Sequence, residues 1–497
     1  MSGNREGIEA MSGNVRDVVI IGAGVTGAAL ARLLSAYELD VALVEKEADV
    51  GFGVSKANSG IVHAGFHHDA AKTLKARLEL RGNLMFERLQ RELGFPFKRI
   101  GILMVAFSGE DMKTVRRLYE QGVRNGVPGL EICGHDRMRT LEPKLNPDVV
   151  GGLYAPSGGV VEPYRFVFSL VESAKLNGVE LLTSFHVVAA RREGPAWRLD
   201  AADGRSITAR RVVNAAGLYA DTVSALFNAE PFLIRPRKGE EYLLDRNSPA
   251  CPGHVLFPVP SRESKGMLVI PTVEGTVMIG PTAEMIEDKE DITTSSGNLE
   301  KAFSSAAMMV SGISRRDIIT SFAGLRPTCG GEDFLICRST RAPGLIQAAG
   351  IQSPGLTAAP AVAEEIRDLL KADGQAFREK AGYIPHLTPF PSIRNLNFEE
   401  LDALATRDAA FGNIVCRCEQ ISEAEVVDAV RKGHVTLDGV KFYTRAGMGR
   451  CQGGFCSFKV MRIIARETGI PMEEITKRGA GSRVVAGRLD GAEPDHV

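Results

Sequence analysis

Eight cysteines in 497 residues are too few for a secreted disulfide scaffold, so a reducing, cytoplasmic compartment is expected. Charge is lacking too: 60 Lys and Arg against 61 Asp and Glu leave a formal net charge of −1. With no basic surplus to neutralise phosphates, nucleic acid is not expected as a partner. Long apolar runs are missing. The most apolar stretch, Val18 to Leu34, is broken by glycines and by Arg32, which is too short and too interrupted for a bilayer span. No direct membrane insertion is expected, and any membrane association would come through a partner subunit. The segment before Val18 has no apolar h-region, so no secretory signal is read there. Met-Ser-Gly-Asn occurs at Met1 and again at Met11, which gives two candidate starts, and residues 1–14 are expected to be disordered. No internal repeat or low-complexity tract stands out, and only one glycine-rich nucleotide fingerprint is found.

That fingerprint is Gly22-Ala-Gly24-Val-Thr-Gly27. It follows a short apolar strand (Asp17–Ile21) and opens a helix with an apolar face, and a second strand then ends in the acid Glu45. Gly22 permits the tight turn, Gly24 lets the backbone approach a pyrophosphate, and Gly27 lets helix and strand pack closely. The phosphates are expected at the helix N-terminus, with Glu45 on a ribose 2′-hydroxyl, an arrangement that disfavours NADP. A single fingerprint without a second nicotinamide-type site favours bound FAD and an organic reductant as substrate.

Half of the cysteines lie together near the C-terminus, as Cys416-x-Cys418 and Cys451-x4-Cys456. Two tight pairs supply the four thiolates of an iron–sulfur or zinc site. The C-x-C pair is unusual for structural zinc, and the glycines around Cys451 leave backbone amides free to face cluster sulfurs. Cys133, Cys251, Cys329 and Cys337 read as plain buried thiols. Between the two ends, proline-rich and polar stretches at 386–412 read as a linker, partly extended and partly helical. A capping box, Ser422 to Glu425, opens one helix; a second is expected from Cys456 until Gly469 and Pro471 stop it.

The segments Glu45-Lys46 and Ser55-Lys-Ala-Asn-Ser59-Gly-Ile-Val-His63-Ala-Gly65 resemble the flavin-proximal region of the D-amino-acid oxidase/glycerol-3-phosphate dehydrogenase superfamily. So do Val212-Val-Asn-Ala-Ala-Gly217, Gly324-Leu-Arg326-Pro327 and Gln347-Ala-Ala-Gly350-Ile-Gln-Ser-Pro-Gly355-Leu356-Thr357, in the superfamily's order over residues 15–385. Residues 414–470 resemble a bacterioferritin-associated-ferredoxin-type [2Fe-2S] domain. The combination resembles the catalytic subunits of anaerobic glycerol-3-phosphate dehydrogenases.

The resemblance implies an α/β architecture with a Rossmann-like FAD domain in discontinuous segments (about 15–90, 150–220 and 320–385). An antiparallel substrate domain (91–149 and 221–319) is inserted between them, and a small helical [2Fe-2S] domain (413–470) and a tail (471–497) follow. FAD contacts are implied for Gly22, Gly24, Gly27, Glu45, Lys46, Ser55, Ser59, Val188, Gly217, Gly350, Gly355, Leu356 and Thr357. Cluster ligation is implied for Cys416, Cys418, Cys451 and Cys456. Read alone, His63 is a structural histidine and Arg326 an ion-pair partner; the resemblance makes His63 the base and Arg326 the anchor for a small anionic hydroxy substrate. Lys238 and Lys265 read as surface lysines before anion contacts. The implied reaction is oxidation of sn-glycerol 3-phosphate to dihydroxyacetone phosphate by hydride transfer to flavin N5. Electrons would then pass through the cluster to a second flavoprotein or iron–sulfur acceptor subunit. Where aerobic relatives carry an arginine after their His-Gly-Gly segment, this chain has Phe66-His67-His68-Asp69. That departure makes L-2-hydroxyglutarate or another 2-hydroxy acid the alternative substrate, with an amino or imino acid third. A non-catalytic FAD/[2Fe-2S] electron-transfer subunit is the alternative from another class; it needs neither His63 nor Arg326 beside the flavin.

Overall fold

The computed structural model describes residues 15–260, 266–331 and 333–487, so the expected disorder of 1–14 and the fate of Lys265 lie outside the described residues. Strand β1 (Arg16–Ile21), helix α1 (Val25–Leu34) and strand β2 (Val41–Val44) form the expected unit. β1 pairs in parallel with β2 on one side and with strand Ser206–Asn214 on the other. Leu345–Ala349 adds a further parallel strand at Val212–Asn214. One sheet face carries α1 and helices Leu74–Leu93, Pro163–Leu176 and Gly355–Ala372 over a core of Val18, Ile20, Leu30, Phe86, Phe166 and Ile366. The other face buries Val19, Ile21, Val212 and Leu199, with the Trp197 and Phe227 rings 4.8 Å apart.

The turn between β1 and α1 shows why its glycines stand where they do. Gly22 has φ +105°, and a Cβ there would lie 2.5 Å from the Ala215 carbonyl oxygen. A Cβ on Gly27 would fall on the carbonyl oxygen of Gly22, so α1 would have to lift off β1. Gly27→Ala is expected to destabilise the protein by about 2 kcal/mol through overpacking and to loosen FAD. Urea unfolding, with flavin retained through gel filtration, measures both effects; unchanged values on both counts would remove the close-approach argument.

A second sheet of nine strands runs Glu284–Met285, Ile234–Leu244, Val277–Gly280, Leu268–Pro271, Val255–Pro258, Ile102–Ala106, Gly151–Ala155 and Glu131–Gly134. Ile318–Cys329 lies along the free side of Ile234–Leu244. The sheet is antiparallel, as expected, except where Val255–Pro258 runs parallel to Ile102–Ala106. Its limits differ from expectation. Gly151–Ala155 completes the ladder of Ile102–Ala106, and Ile318–Cys329 pairs along nearly the whole of Ile234–Leu244, because strands rich in unpaired amides must find partners.

Past residue 385, Leu387 donates its amide to Glu92 O, and Asn397 and Glu400 form a capping box that opens helix Phe398–Arg407. The C-terminal unit is a hairpin (Ile414–Cys416 with Ile421–Ser422) followed by helices Glu423–Arg431, Leu437–Thr444 and Ser457–Thr468. The Ser422–Glu425 capping box and the stop at Gly469, φ +76°, are as expected. The unit is not hung on a linker: Val426, Val440, Val460 and Ile464 belong to the same apolar cluster as α1 and β1. His434 Nδ1 lies 2.8 Å from Asp49 Oδ2, and Arg445 bridges Glu162 (2.5 Å) and Glu419 (2.8 Å), all buried. From 471 to 483 the chain folds back onto the C-terminal unit. Ile475 is 1% exposed, Leu437 donates its amide to Thr476 O, and Lys477 pairs with Asp438. Among the described residues no helix is long and apolar enough to cross a membrane.

Candidate active site and cluster site

A cavity of about 800 Å³ lies where the parallel sheet meets the mixed one. One end of it is formed by Gly22, Gly24 and Val25, at the start of α1. The α1 N-terminus has no side-chain cap of its own, and the Ser55 hydroxyl takes that role, accepting from Val25 N at 2.9 Å. Amides and hydroxyl together make an anion cradle. Glu45 accepts from Ala23 N (2.7 Å) and Glu47 N (3.0 Å), which ties the end of β2 to the glycine turn. Burial raises its carboxyl above the ordinary range, against the lowering effect of those amides. Lys46 lies 3.8 Å from the centre of the Tyr219 ring.

Of the residues singled out from sequence, Gly22, Gly24, Glu45, Lys46, Ser55 and Ser59 line the cavity, as do Gly217, Gly355, Leu356, His63 and Arg326. Four do not. Gly27 acts at the strand–helix contact. Val188 is 45% exposed while Val187 takes the wall, since neighbours on a strand face opposite ways. Gly350 makes a turn at φ +65° beside Cys329. Thr357 is buried behind the wall, where its hydroxyl accepts from His63 N (3.0 Å) and donates to Ile61 O (3.2 Å).

At the opposite end of the cavity, His63 is fixed through its backbone. Thr357 holds its amide, and Asn83 Nδ2 donates to its carbonyl at 2.7 Å. Its Nε2 lies 3.4 Å from Ser353 Oγ. Arg326 Nη2 donates to Thr282 O at 2.9 Å, and Gly239 leaves room for it, because any Cβ there would strike the guanidinium. Burial pushes Arg326 down to about 10, with Glu241 opposing the shift. Glu241 was not legible in the sequence. It is 2% exposed and lines the cavity; Oε1 accepts from Ser59 Oγ at 2.5 Å, and Oε2 has no hydrogen-bond partner among the described residues. Burial drives its carboxyl up to about 7. Neighbouring Glu240 turns the other way and receives Ser295 N at 2.6 Å, so strand parity alone separates a structural acid from a cavity acid. Lys238, read as a surface lysine, is buried and paired with Asp291 at 2.7 Å. Arg478, from the segment past the expected end of the C-terminal domain, also reaches the cavity.

The four C-terminal cysteines converge as two pairs. Cys418 Sγ and Cys451 Sγ are 3.7 Å apart, and the free thiols of Cys416 and Cys456 share a hydrogen bond. Among the described residues no three His, Cys, Asp or Glu side chains gather as a mononuclear metal site. Two thiolates per metal suit the two irons of a [2Fe-2S] centre, whereas zinc asks for all four at one point. Of the other cysteines only Cys133 is fully buried; Cys251, Cys329 and Cys337 are half-buried.

A nucleotide cradle that opens into a cavity with a histidine, an arginine and a buried acid, backed by a two-pair thiolate site, defines a flavin- and iron–sulfur-dependent oxidoreductase. The chain belongs to the FAD dependent oxidoreductase family, whose model matches residues 17–369, and it carries a BFD-like [2Fe-2S] binding domain at residues 414–466. It is 43% identical over 473 residues to a glycerol 3-phosphate dehydrogenase of Caloramator mitchellensis, covering 95% of this chain and 98% of that one. It is 29% identical over 293 residues to the mitochondrial L-2-hydroxyglutarate dehydrogenase of Homo sapiens, covering 55% of this chain and 62% of the relative. A solved dithionite-reduced L-alpha-glycerophosphate oxidase from Mycoplasma pneumoniae with FAD bound superposes with a TM-score of 0.73 at 28% identity, covering 76% of this chain and all of that one.

Proposed function

We propose that the chain oxidises sn-glycerol 3-phosphate to dihydroxyacetone phosphate. The observation that carries the reading is one cavity lined by a desolvated guanidinium near a buried carboxyl and by a backbone-clamped histidine. Arg326 holds the phosphate through the N–H groups that Thr282 leaves free. His63 takes the proton of the C2 hydroxyl, with Ser353 steadying the imidazole. The apolar ring of Phe257, 6.0 Å from His63, helps exclude water. When bound, FAD supplies the two-electron acceptor and the [2Fe-2S] centre a one-electron relay. FAD contacts are proposed for the cavity-lining residues of the glycine turn, Glu45, Lys46, Ser55, Ser59, Gly217, Gly355 and Leu356, and cluster ligation for the four cysteines. The relatives that match over nearly their whole length and are described as acting on glycerol 3-phosphate support this reading. The electron acceptor is proposed to be a second flavoprotein or iron–sulfur subunit, met in the cytoplasm or at a membrane the partner provides.

The likeness to L-2-hydroxyglutarate dehydrogenases keeps a second reading, oxidation of a 2-hydroxy dicarboxylate. Glu241 weighs against it, because a substrate carboxylate beside that carboxyl meets like charge. The test is anaerobic titration of the holoenzyme with each compound. Bleaching of the flavin band by glycerol 3-phosphate, with 2-hydroxyglutarate at least about tenfold weaker for the unpaired charge, is the expected result. The reverse order installs the second reading. Bleaching by neither, with both cofactors loaded, leaves an electron-transfer subunit.

A further inference from the structure

Phe455 and Phe458 are 85% and 62% exposed, and both stand beside a cluster cysteine. Phe455 directly precedes Cys456, and Phe458 lies in the first turn of helix Ser457–Thr468, which has Cys456 at its N-cap. That helix buries Val460, Met461, Ile463 and Ile464 and turns Phe458, Lys459, Arg462 and Arg466 outward. Arg466 is neutralised by Glu423 and Glu467. Lys459 and Arg462 hold no ion pair among the described residues, although Arg462 lies near enough to Glu423 to feel its charge; the Lys459 ammonium reaches Ile414 O at 3.4 Å. Arg417, between the two N-terminal ligands, is exposed, as is Arg450 next to Cys451, which shares Asp245 at 3.1 Å. The half-buried Cys418–Cys451 pair thus reaches the surface among cations.

Two exposed phenyl rings bury at most about 500 Å², far below the roughly 1,600 Å² of a stable interface and in the range of transient redox encounters. Exposed cations outside ion pairs around an apolar centre steer an acidic partner and repel a basic one. We propose that this face docks an acidic one-electron carrier protein, with Phe455 and Phe458 as the apolar centre and Arg417, Lys459 and Arg462 as the rim. The inference rests on the proposed exit of electrons through the cluster. Oxidation of one carbinol to a ketone releases two electrons and two protons. Two carriers are each reduced by one electron, and the protons go to solvent.

The test uses holoenzyme reduced beforehand with stoichiometric dithionite, so that it does not depend on the substrate. Cytochrome b5 is the acidic probe, cytochrome c the basic counter-probe, and phenazine methosulfate a small acceptor that needs no dock. Reduction of cytochrome b5 is expected to quicken as salt is lowered and to outpace that of cytochrome c. Phe455→Ser with Phe458→Ser, and separately Lys459→Glu with Arg462→Glu, are expected to slow it about tenfold or more. Dye reduction, the iron–sulfur spectrum and flavin bleaching by glycerol 3-phosphate should stay as in the parent protein. Unchanged cytochrome b5 rates in both variants, preference for cytochrome c at low salt, or a dimer that the phenylalanine variant turns into a monomer by sedimentation would each overturn the proposal; the last assigns the face to a second copy. Failure of the substrate alone to bleach flavin strikes the proposed reaction and leaves this test standing.

Discussion

Arg326→Ala is expected to lower kcat/KM for glycerol 3-phosphate by roughly 10²–10³-fold, equivalent to about 3–4 kcal/mol for truncating one side of a buried, hydrogen-bonded charge pair, with FAD and cluster still loaded. The guanidinium stands in the cavity and, among the described residues, makes one hydrogen bond, to Thr282 O, so most of its planar fork is available to an anion. Lowered to about 10 by burial, it is still charged at neutral pH. Its removal strips the phosphate of its counter-charge and also leaves Glu241 without the nearby cation that opposes its desolvation. Because the anchor acts before and during the reaction alike, the loss should fall mainly on KM. Arg326→Lys keeps the charge without the fork and is expected to recover only part of the affinity. Anaerobic flavin reduction by stopped flow separates the two constants; a wild-type dependence on substrate concentration in Arg326→Ala would dismiss the anchoring role.

The parts of this site that are legible in the sequence are those held within one turn or one motif. The β1–glycine–α1–β2 unit declares itself through its local spacing, and Gly27 is needed because a Cβ there would meet Gly22 five residues earlier. The Ser422 capping box and the helix from Cys456 follow from neighbours three or four residues apart. The cysteines were readable as two pairs because their spacing is chemical information in itself. What stayed hidden depends on pairing across the chain. Glu241 faces the cavity only because Ile234–Leu244 takes a particular register against Ile318–Cys329, with Glu241 opposite Phe322; a one-residue slip would exchange it with Glu240. The same parity puts Val187, and not Val188, on the wall. Lys238 looked like a surface lysine because its partner Asp291 is remote in sequence.

The join of the C-terminal unit was likewise illegible. Glu419, next to a cluster cysteine, is 1% exposed and gathers Arg246 (2.7 Å), Arg394 (3.4 Å) and Arg445 (2.8 Å), drawn from the substrate sheet, the connecting stretch and its own unit. Arg445 then reaches Glu162 on the flavin side. A desolvated network of this kind adds little net stability, yet breaking it is expensive because a charge is left buried and alone. Its consequence is geometric: it sets one orientation of the four-cysteine site against the cavity, as the proposed electron exit requires.

Glu241→Gln is expected to stabilise the flavin-free protein above pH 7 while impairing turnover. Burial, the dominant cause, raises the Glu241 carboxyl from 4.5 to about 7, against the lowering effects of Ser59 and Arg326. Between those values the native state keeps a proton that the unfolded chain has released, so stability falls as pH rises through the interval and is flat above it. The full difference is roughly 3 kcal/mol. Glutamine has no proton to lose, so the variant should match the parent below pH 4.5 and exceed it by about that amount at pH 8. The destabilising acid makes sense if it acts on substrate. Its Oε2 is without a hydrogen-bond partner among the described residues, and the residue lines the cavity, which suits it to accept the C1 hydroxyl of a polyol phosphate whose phosphate sits on Arg326. The variant should therefore lose about tenfold in kcat/KM for glycerol 3-phosphate, one charge-assisted hydrogen bond, together with any pH–rate limb near 7, and should discriminate less against 2-hydroxyglutarate. Urea unfolding across pH 4–8 and anaerobic bleaching across the same range read these effects separately. A variant whose stability still falls between pH 4.5 and 7 as the parent's does would show that the titrating group is elsewhere. One that keeps full activity would make Glu241 a packing residue, with its charge left buried for no gain in turnover.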